Sequence, residues 1–255
     1  MIVNSFLIIN ISNKLNKAVL DALEDKYLEL SDLIASYTKC CLSPFVIHYG
    51  VDFSSQSNGG LMFIGRATNG AWTKGKGNFV EQYKLSFKPE HIHNLQWVED
   101  QFSKQGTYCR KSSFWRVVRN ISKELYDNKW YDRIAWSDLY KVAPSSEGNP
   151  SKELMSLQKE KCIEILKLEL KLLSPKYVVL FTGDWAKDFL FRLNDNHHTT
   201  SIRSITWGHN KKYCTKVYKI GYTFFILSEH PQGKSETEHA KCILNLIESL
   251  DIKNN

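Results

Sequence analysis

Metal-binding cysteine spacing is missing from this chain. Its six cysteines, Cys40, Cys41, Cys109, Cys162, Cys214 and Cys242, form no C-x-x-C pair and no cluster with histidine at zinc spacing. Reduced, mostly buried thiols in a cytoplasmic protein are expected, with no metal or cofactor. Long apolar runs are missing too: nothing approaches the length of a membrane span. The short apolar patch in Met1 to Ile11 lacks the basic flank and small-residue cleavage site of a signal peptide, so neither membrane insertion nor secretion is expected. Strong charge imbalance is also absent. The net charge of +7 comes from 34 Lys and Arg against 27 Asp and Glu, an excess that favours polyanionic partners such as nucleic acid but is common among soluble enzymes.

What is present is enough apolar material for a substantial core: 42% of the 255 residues, with 13% aromatic. One large domain with an appendage is expected, a helical segment over residues 1–60 and an α/β domain over 61–255. Leu61 to Trp72 carries the clearest signal. Its first four residues show no alternation of apolar and polar, which suits a strand covered on both faces, and the run then opens at Gly65 into a loop containing Arg66, Thr68, Asn69 and Gly70. Glycines there let backbone approach a ligand.

Three further apolar runs end in polar residues. Ile134-Ala135-Trp136 leads into Ser137-Asp138, Tyr177 to Phe181 into Thr182-Gly183-Asp184, and Thr223 to Leu227 into Ser228-Glu229-His230-Pro231. Open parallel sheets bind ligands just beyond the carboxyl ends of their strands, so four such exits predict a crevice there. Helices are expected between them. Leu15 to Tyr37 is amphipathic; Ser112 to Leu125 starts on a capping serine; a helix capped by Asn149-Pro150 runs to Leu173 and stops at Ser174-Pro175. A strand, helix and strand of this length make a right-handed parallel crossover. Residues 192–219 read as a basic hairpin beside the last strand, and Ser235 to Leu250 as a closing helix.

Lys74, Lys76, Lys84 and Lys88 interleave with Phe79, Tyr83 and Phe87, a mixture that suits nucleic acid, whose phosphates attract cations and whose unstacked bases attract flat rings. An ordinary solvated loop has the same composition.

Ser137-Asp138-Leu139-Tyr140-Lys141-Val142-Ala143-Pro144, the helix after it, and Leu172-Leu173-Ser174-Pro175-Lys176 leading to Thr182-Gly183 together resemble the uracil-DNA glycosylase superfamily. Its two active-site motifs fall at Gly65 to Gly70 and at His230-Pro231-Gln232-Gly233-Lys234. The likeness spans roughly Leu61 to Leu250. It implies a three-layer α/β/α fold with a central, mostly parallel four-stranded sheet, and a monomeric enzyme that swings a base out of single- or double-stranded DNA and hydrolyses its N-glycosidic bond.

By the same resemblance His230 donates to the departing base; with Ala67 and Thr68 where the family places its Asp or Asn, either Asn69 positions the water or the carboxamide is absent and the chain is a slow or inactive relative. Gly65, Arg66, Trp72, Ser137 and Asp138 contact the base, and Lys74, Lys76, Gln232 and Lys234 the nucleic-acid backbone. Asp138 replaces the family's usual Asn. An ionised aspartate only accepts hydrogen bonds, which suits an amino-bearing base such as cytosine better than uracil. The family's apolar wedge after the His-Pro pair is missing, as is its iron-sulfur cysteine set. The alternative is a noncatalytic nucleic-acid or nucleotide-binding protein with the same fold.

Overall fold

The computed structural model describes residues 21–53, 60–69, 95–146, 148–195 and 197–251. These fall into two compact units, each assembled from separate stretches of chain.

One unit takes the described residues of Met1–Phe45, Ala67–Lys88 and Tyr140–Ser174. It holds helix α1 (residues 21–34), strand β1 (Leu42–Pro44), strand β5 (Val142–Pro144) and helix α5 (Lys152–Leu173). Strands β1 and β5 pair antiparallel. The N-cap of α5 is Ser151, not Asn149: Ser151 is extended and its hydroxyl accepts the Leu154 N–H at 3.1 Å, satisfying a first-turn donor. Ser174 ends the helix in the left-handed region, with Pro175 after it.

A polar network is buried inside this unit. Lys141 Nζ lies 2.9 Å from Glu169, both side chains fully buried, and Tyr27 donates to the same carboxylate at 2.8 Å. The Gln158 amide closes both backbone groups of Val142, accepting from its N–H at 3.0 Å and donating to its carbonyl at 2.8 Å. Removing one member of a buried ion pair strands the other charge in a medium that cannot solvate it. Glu169→Ala is expected to cost about 3–5 kcal/mol of unfolding free energy, with Lys141→Met/Glu169→Leu recovering much of the loss. Urea unfolding of the three proteins checks this.

The second unit takes the described residues of Val46–Arg66, Pro89–Leu139 and Pro175–Asn255. Its centre is a seven-stranded mixed sheet in the order β2-β4-β3-β6-β9-β8-β7. The strands are β2 (His48–Tyr49), β3 (Leu61–Ala67), β4 (Ile134–Tyr140), β6 (Tyr177–Phe181), β7 (Arg203–Trp207), β8 (Tyr213–Ile220) and β9 (Thr223–Ser228). Strands β3 and β4 each run one residue past the unit's edge. Strands β3, β6 and β9 pair parallel, whereas β2 on β4, β8 on β9 and β7 on β8 pair antiparallel. The sheet is therefore wider and more mixed than four strands.

The residues explain the difference. The three parallel strands carry apolar, buried runs, Leu61–Ile64, Tyr177–Phe181 and Phe224–Leu227. Strand β8 alternates exposed Cys214 and Lys216 with buried Thr215 and Val217, as a strand with one wet face does. The hairpin read from residues 192–219 is thus the β7–β8 pair at the sheet's edge.

Helices α2 (Gln96–Phe102), α3 (Tyr108–Lys111), α4 (Ser113–Tyr126), α6 (Ala186–Leu193) and α7 (Glu236–Asp251) complete the unit. As expected, Ser112 caps α4, accepting from the Trp115 N–H at 3.4 Å. Helix α4 packs against α7, fastened by Arg116, whose Nη2 donates to Glu236 at 2.6 Å. No helix among the described residues is long and apolar enough to cross a membrane.

Candidate functional site at the strand ends

The parallel register places the polar residues. Ile64 stands beside Leu180 and Leu180 beside Leu227, so two residues further along the chain come Arg66 near the end of β3 and Thr182 and Glu229 just past the ends of β6 and β9. The contacts follow that register. Arg66 Nε donates to the Thr182 carbonyl at 3.1 Å, and the guanidinium lies 5.1 Å from the centre of the Trp185 ring. Gly183 adopts φ +58, and a Cβ there would stand 3.7 Å from both Arg66 Nη2 and Glu229 Oε2. Arg66 is half-buried; burial lowers its pKa, and the Glu229 carboxylate opposes that.

Gly65 does not open a loop. Strand β3 continues through it to Ala67, and the glycine is needed for space: a Cβ at 65 would come within 2.3 Å of Asp138 Oδ1. Asp138 and Ser137 likewise lie inside β4, not beyond it, and both are buried. The Phe114 ring, half-buried on α4, edges the same place, 3.6 Å from that Cβ position. A carboxylate and an aromatic ring therefore flank one short stretch of bare backbone.

His230 follows β9. Its Nδ1 accepts the Gln232 N–H at 3.3 Å, which in the neutral ring leaves the proton on Nε2. The ring is held neutral: burial first, then the positive charges of Arg66 and Lys234, push its pKa down to about 4. Lys234 closes the turn by donating to the His230 carbonyl at 2.8 Å.

Behind it stands a second histidine. His239, in the first turns of α7, is fully buried, and its Nε2 is 2.7 Å from Ser228 Oγ, which is itself 2.7 Å from Thr215 Oγ1. Trp207 donates to that threonine at 2.9 Å and stacks on the imidazole at a centroid distance of 4.2 Å. Burial, then Lys234 and His230, push the His239 pKa down to about 3.

Of the residues singled out from sequence, Gly65, Arg66, Ser137, Asp138, His230, Gln232 and Lys234 all belong to the sheet unit. Gln232 is exposed and contributes its backbone N–H. Asn69 belongs to the other unit, where its Oδ1 accepts the Gly148 N–H at 2.7 Å. Trp72, Lys74 and Lys76 lie outside the described residues, as do Gly70, Phe79, Tyr83, Lys84, Phe87 and Lys88. Sequence reasoning missed four groups. Phe114 read only as part of a helix's apolar face, Glu229 as a bystander in a strand exit and His239 as a position on a closing helix, while Trp185 fell outside every motif. The register of β3, β6 and β9 would have flagged Glu229; nothing local flags the others.

No family model and no curated protein matches the chain. Among the described residues, no group of three or more His, Cys, Asp or Glu side chains is gathered as a metal would require.

Two outcomes follow. Gly65→Ala forces the Asp138 carboxylate out of its place and is expected to cost about 1–3 kcal/mol, the usual toll of overpacking; Asp138→Ala should relieve part of that cost in the double variant, as a double-mutant cycle by chemical denaturation would show. His230 and His239 are neutral when folded, but in the unfolded chain they take up protons near the ordinary pH 6.5. Their contribution to stability is complete above that pH and is lost as pH falls towards 4 and then 3. Melting curves from pH 7 to 4.5 should fall less steeply for His239→Gln than for the unaltered protein.

Proposed function

We propose that this chain is a base-excising N-glycosylase of nucleic acid, a divergent relative of the uracil-DNA glycosylases. The family's three-layer fold with a four-stranded parallel core is part of the proposal. The observation that carries it is His230: a neutral imidazole whose Nδ1 is occupied by a backbone N–H, leaving an Nε2–H donor with two cations nearby. Hydrolysis of a glycosidic bond leaves the bonding pair on the departing base while the sugar becomes cationic. A fixed donor aimed at that growing negative charge is the most effective contribution a protein can make, and a neutral donor does it without first binding the base as an ion pair.

The other groups take complementary parts. Asp138 reads the base edge, and Phe114 supplies a ring against it. Arg66, steadied by the Thr182 carbonyl and the Trp185 face, adds positive charge. Water attacks C1′ and must lose a proton. Ala67 supplies no group for this, and the Asn69 carboxamide oxygen is taken by Gly148. Glu229, next to His230 in the chain and coupled to Arg66, is the carboxylate that accepts that proton. The same two facts about Ala67 and Asn69 favour the competing reading, a nucleic-acid-binding protein without catalysis.

Oligonucleotides carrying uracil, hypoxanthine, xanthine or modified cytosines, followed by cleavage of abasic sites, separate the two. The glycosylase reading expects release of an amino-bearing pyrimidine, slowed about 10²–10³-fold in His230→Ala, the usual cost of one transition-state donor. Asp138→Asn should move the preference towards uracil. Because the His230 pKa is about 4, activity should not fall between pH 7 and 5 from this group. No release from any substrate, with oligonucleotide binding retained, would favour the binding reading.

A further inference from the structure

The β7–β8 turn and the turn after His230 bring two lysines to one ring. Lys234 Nζ lies 5.1 Å and Lys212 Nζ 5.7 Å from the centre of Tyr213. Neither ammonium is in an ion pair among the described residues, and Lys234 Nζ donates to the His230 carbonyl at 2.8 Å. An unpaired ammonium gains from an anion brought to it.

The ring that gathers them is itself held. Tyr213 packs on Trp207 at a centroid distance of 4.9 Å, and Trp207 stacks on His239. Gly208, at φ +82, brings its backbone so close to the ring that a Cβ would fall 2.6 Å from Tyr213 Cδ2. The turn between them carries Asn210 and Lys211 with φ of 55 and 54, so a costly backbone shape is maintained at this corner. Lys234 meanwhile donates to the His230 carbonyl, which ties this pair of cations directly to the candidate donor.

The geometry points to a phosphodiester clamp: Lys212 and Lys234, set by Tyr213, hold a backbone phosphate of a nucleic-acid strand next to the nucleotide presented to His230. This rests on the nucleic-acid reading above but not on catalysis. It also supplies what the sequence after His230 lacks. With no apolar side chain there to prise a duplex apart, the corner offers charge and a half-buried ring, which suits a strand already unpaired.

The test is binding of an undamaged, fluorescently labelled single-stranded oligonucleotide across a salt series. Lys212 is the discriminating position, because it is exposed and makes no hydrogen bond that shapes the site, whereas Lys234 also closes the His230 turn. Lys212→Gln should weaken binding and reduce the slope of log K against log salt by about 0.7, the value for one phosphate contact on a single strand. Tyr213→Leu removes no charge, so it should weaken binding about 2–5-fold with the slope kept. Lys104→Gln, on an exposed lysine elsewhere, should change neither. Equal losses from Lys104→Gln and Lys212→Gln would mean diffuse attraction and overturn the clamp. So would removal of the Lys212 dependence by inorganic phosphate but not by a dinucleotide at the same ionic strength, which would assign the corner to free phosphate. The readout needs no base release: an inactive protein that keeps the Lys212 slope loses only the glycosylase reading, and an active one without it loses only the clamp.

Discussion

The parallel register of β3, β6 and β9 is the constraint on which the chemistry depends. Parallel strands have evenly spaced hydrogen bonds and no freedom to slip by one residue without turning every side chain to the opposite face. With Ile64, Leu180 and Leu227 fixed in one row by burial, the residues that follow have no choice of position. Arg66 reaches the Thr182 carbonyl, Glu229 comes beside Gly183, and His230 falls within the field of Arg66. The apolar core thus selects which polar groups meet.

A second layer of control lies behind the first. Aromatic rings run without a break from His48 and Trp136 through Trp115, Phe114 and Phe181 to His239, Trp207 and Tyr213. Such rings bury large areas in stiff side chains, so the positions of Phe114 and Tyr213 are set by packing well away from solvent. Within that packing the Ser228–His239 hydrogen bond ties the end of β9 to the start of α7, and the Arg116–Glu236 pair ties α7 to α4. The turn carrying His230 is held at its base while its imidazole keeps one nitrogen for another partner.

Much of the scaffold was legible from residue order. The apolar runs at Leu61, Tyr177 and Thr223 are strands, the serine at 112 caps its helix, and Ser174-Pro175 ends the long one. Legibility failed where a residue's role is defined across the sheet. Gly65 reads locally as a turn, yet it stays extended to make room for a carboxylate more than seventy positions later in the chain. Ser137 and Asp138 read as a polar exit, yet they are buried inside β4. Asn149-Pro150 is a good capping pair by composition, but Ser151 has the geometry to reach the Leu154 N–H. The antiparallel widening by β7 and β8 was visible only as a basic hairpin, because alternation reports one wet face but not which strand the other face will meet.

The proposed reaction turns on His230 being a neutral donor with its proton on Nε2. Nitrogen-15 spectra of the histidine side chains at pH 6, with His230→Gln to assign the ring, test it most directly. A neutral imidazole protonated at Nε2 is the result predicted, whereas an imidazolium, or a proton resting on Nδ1, would contradict the claim.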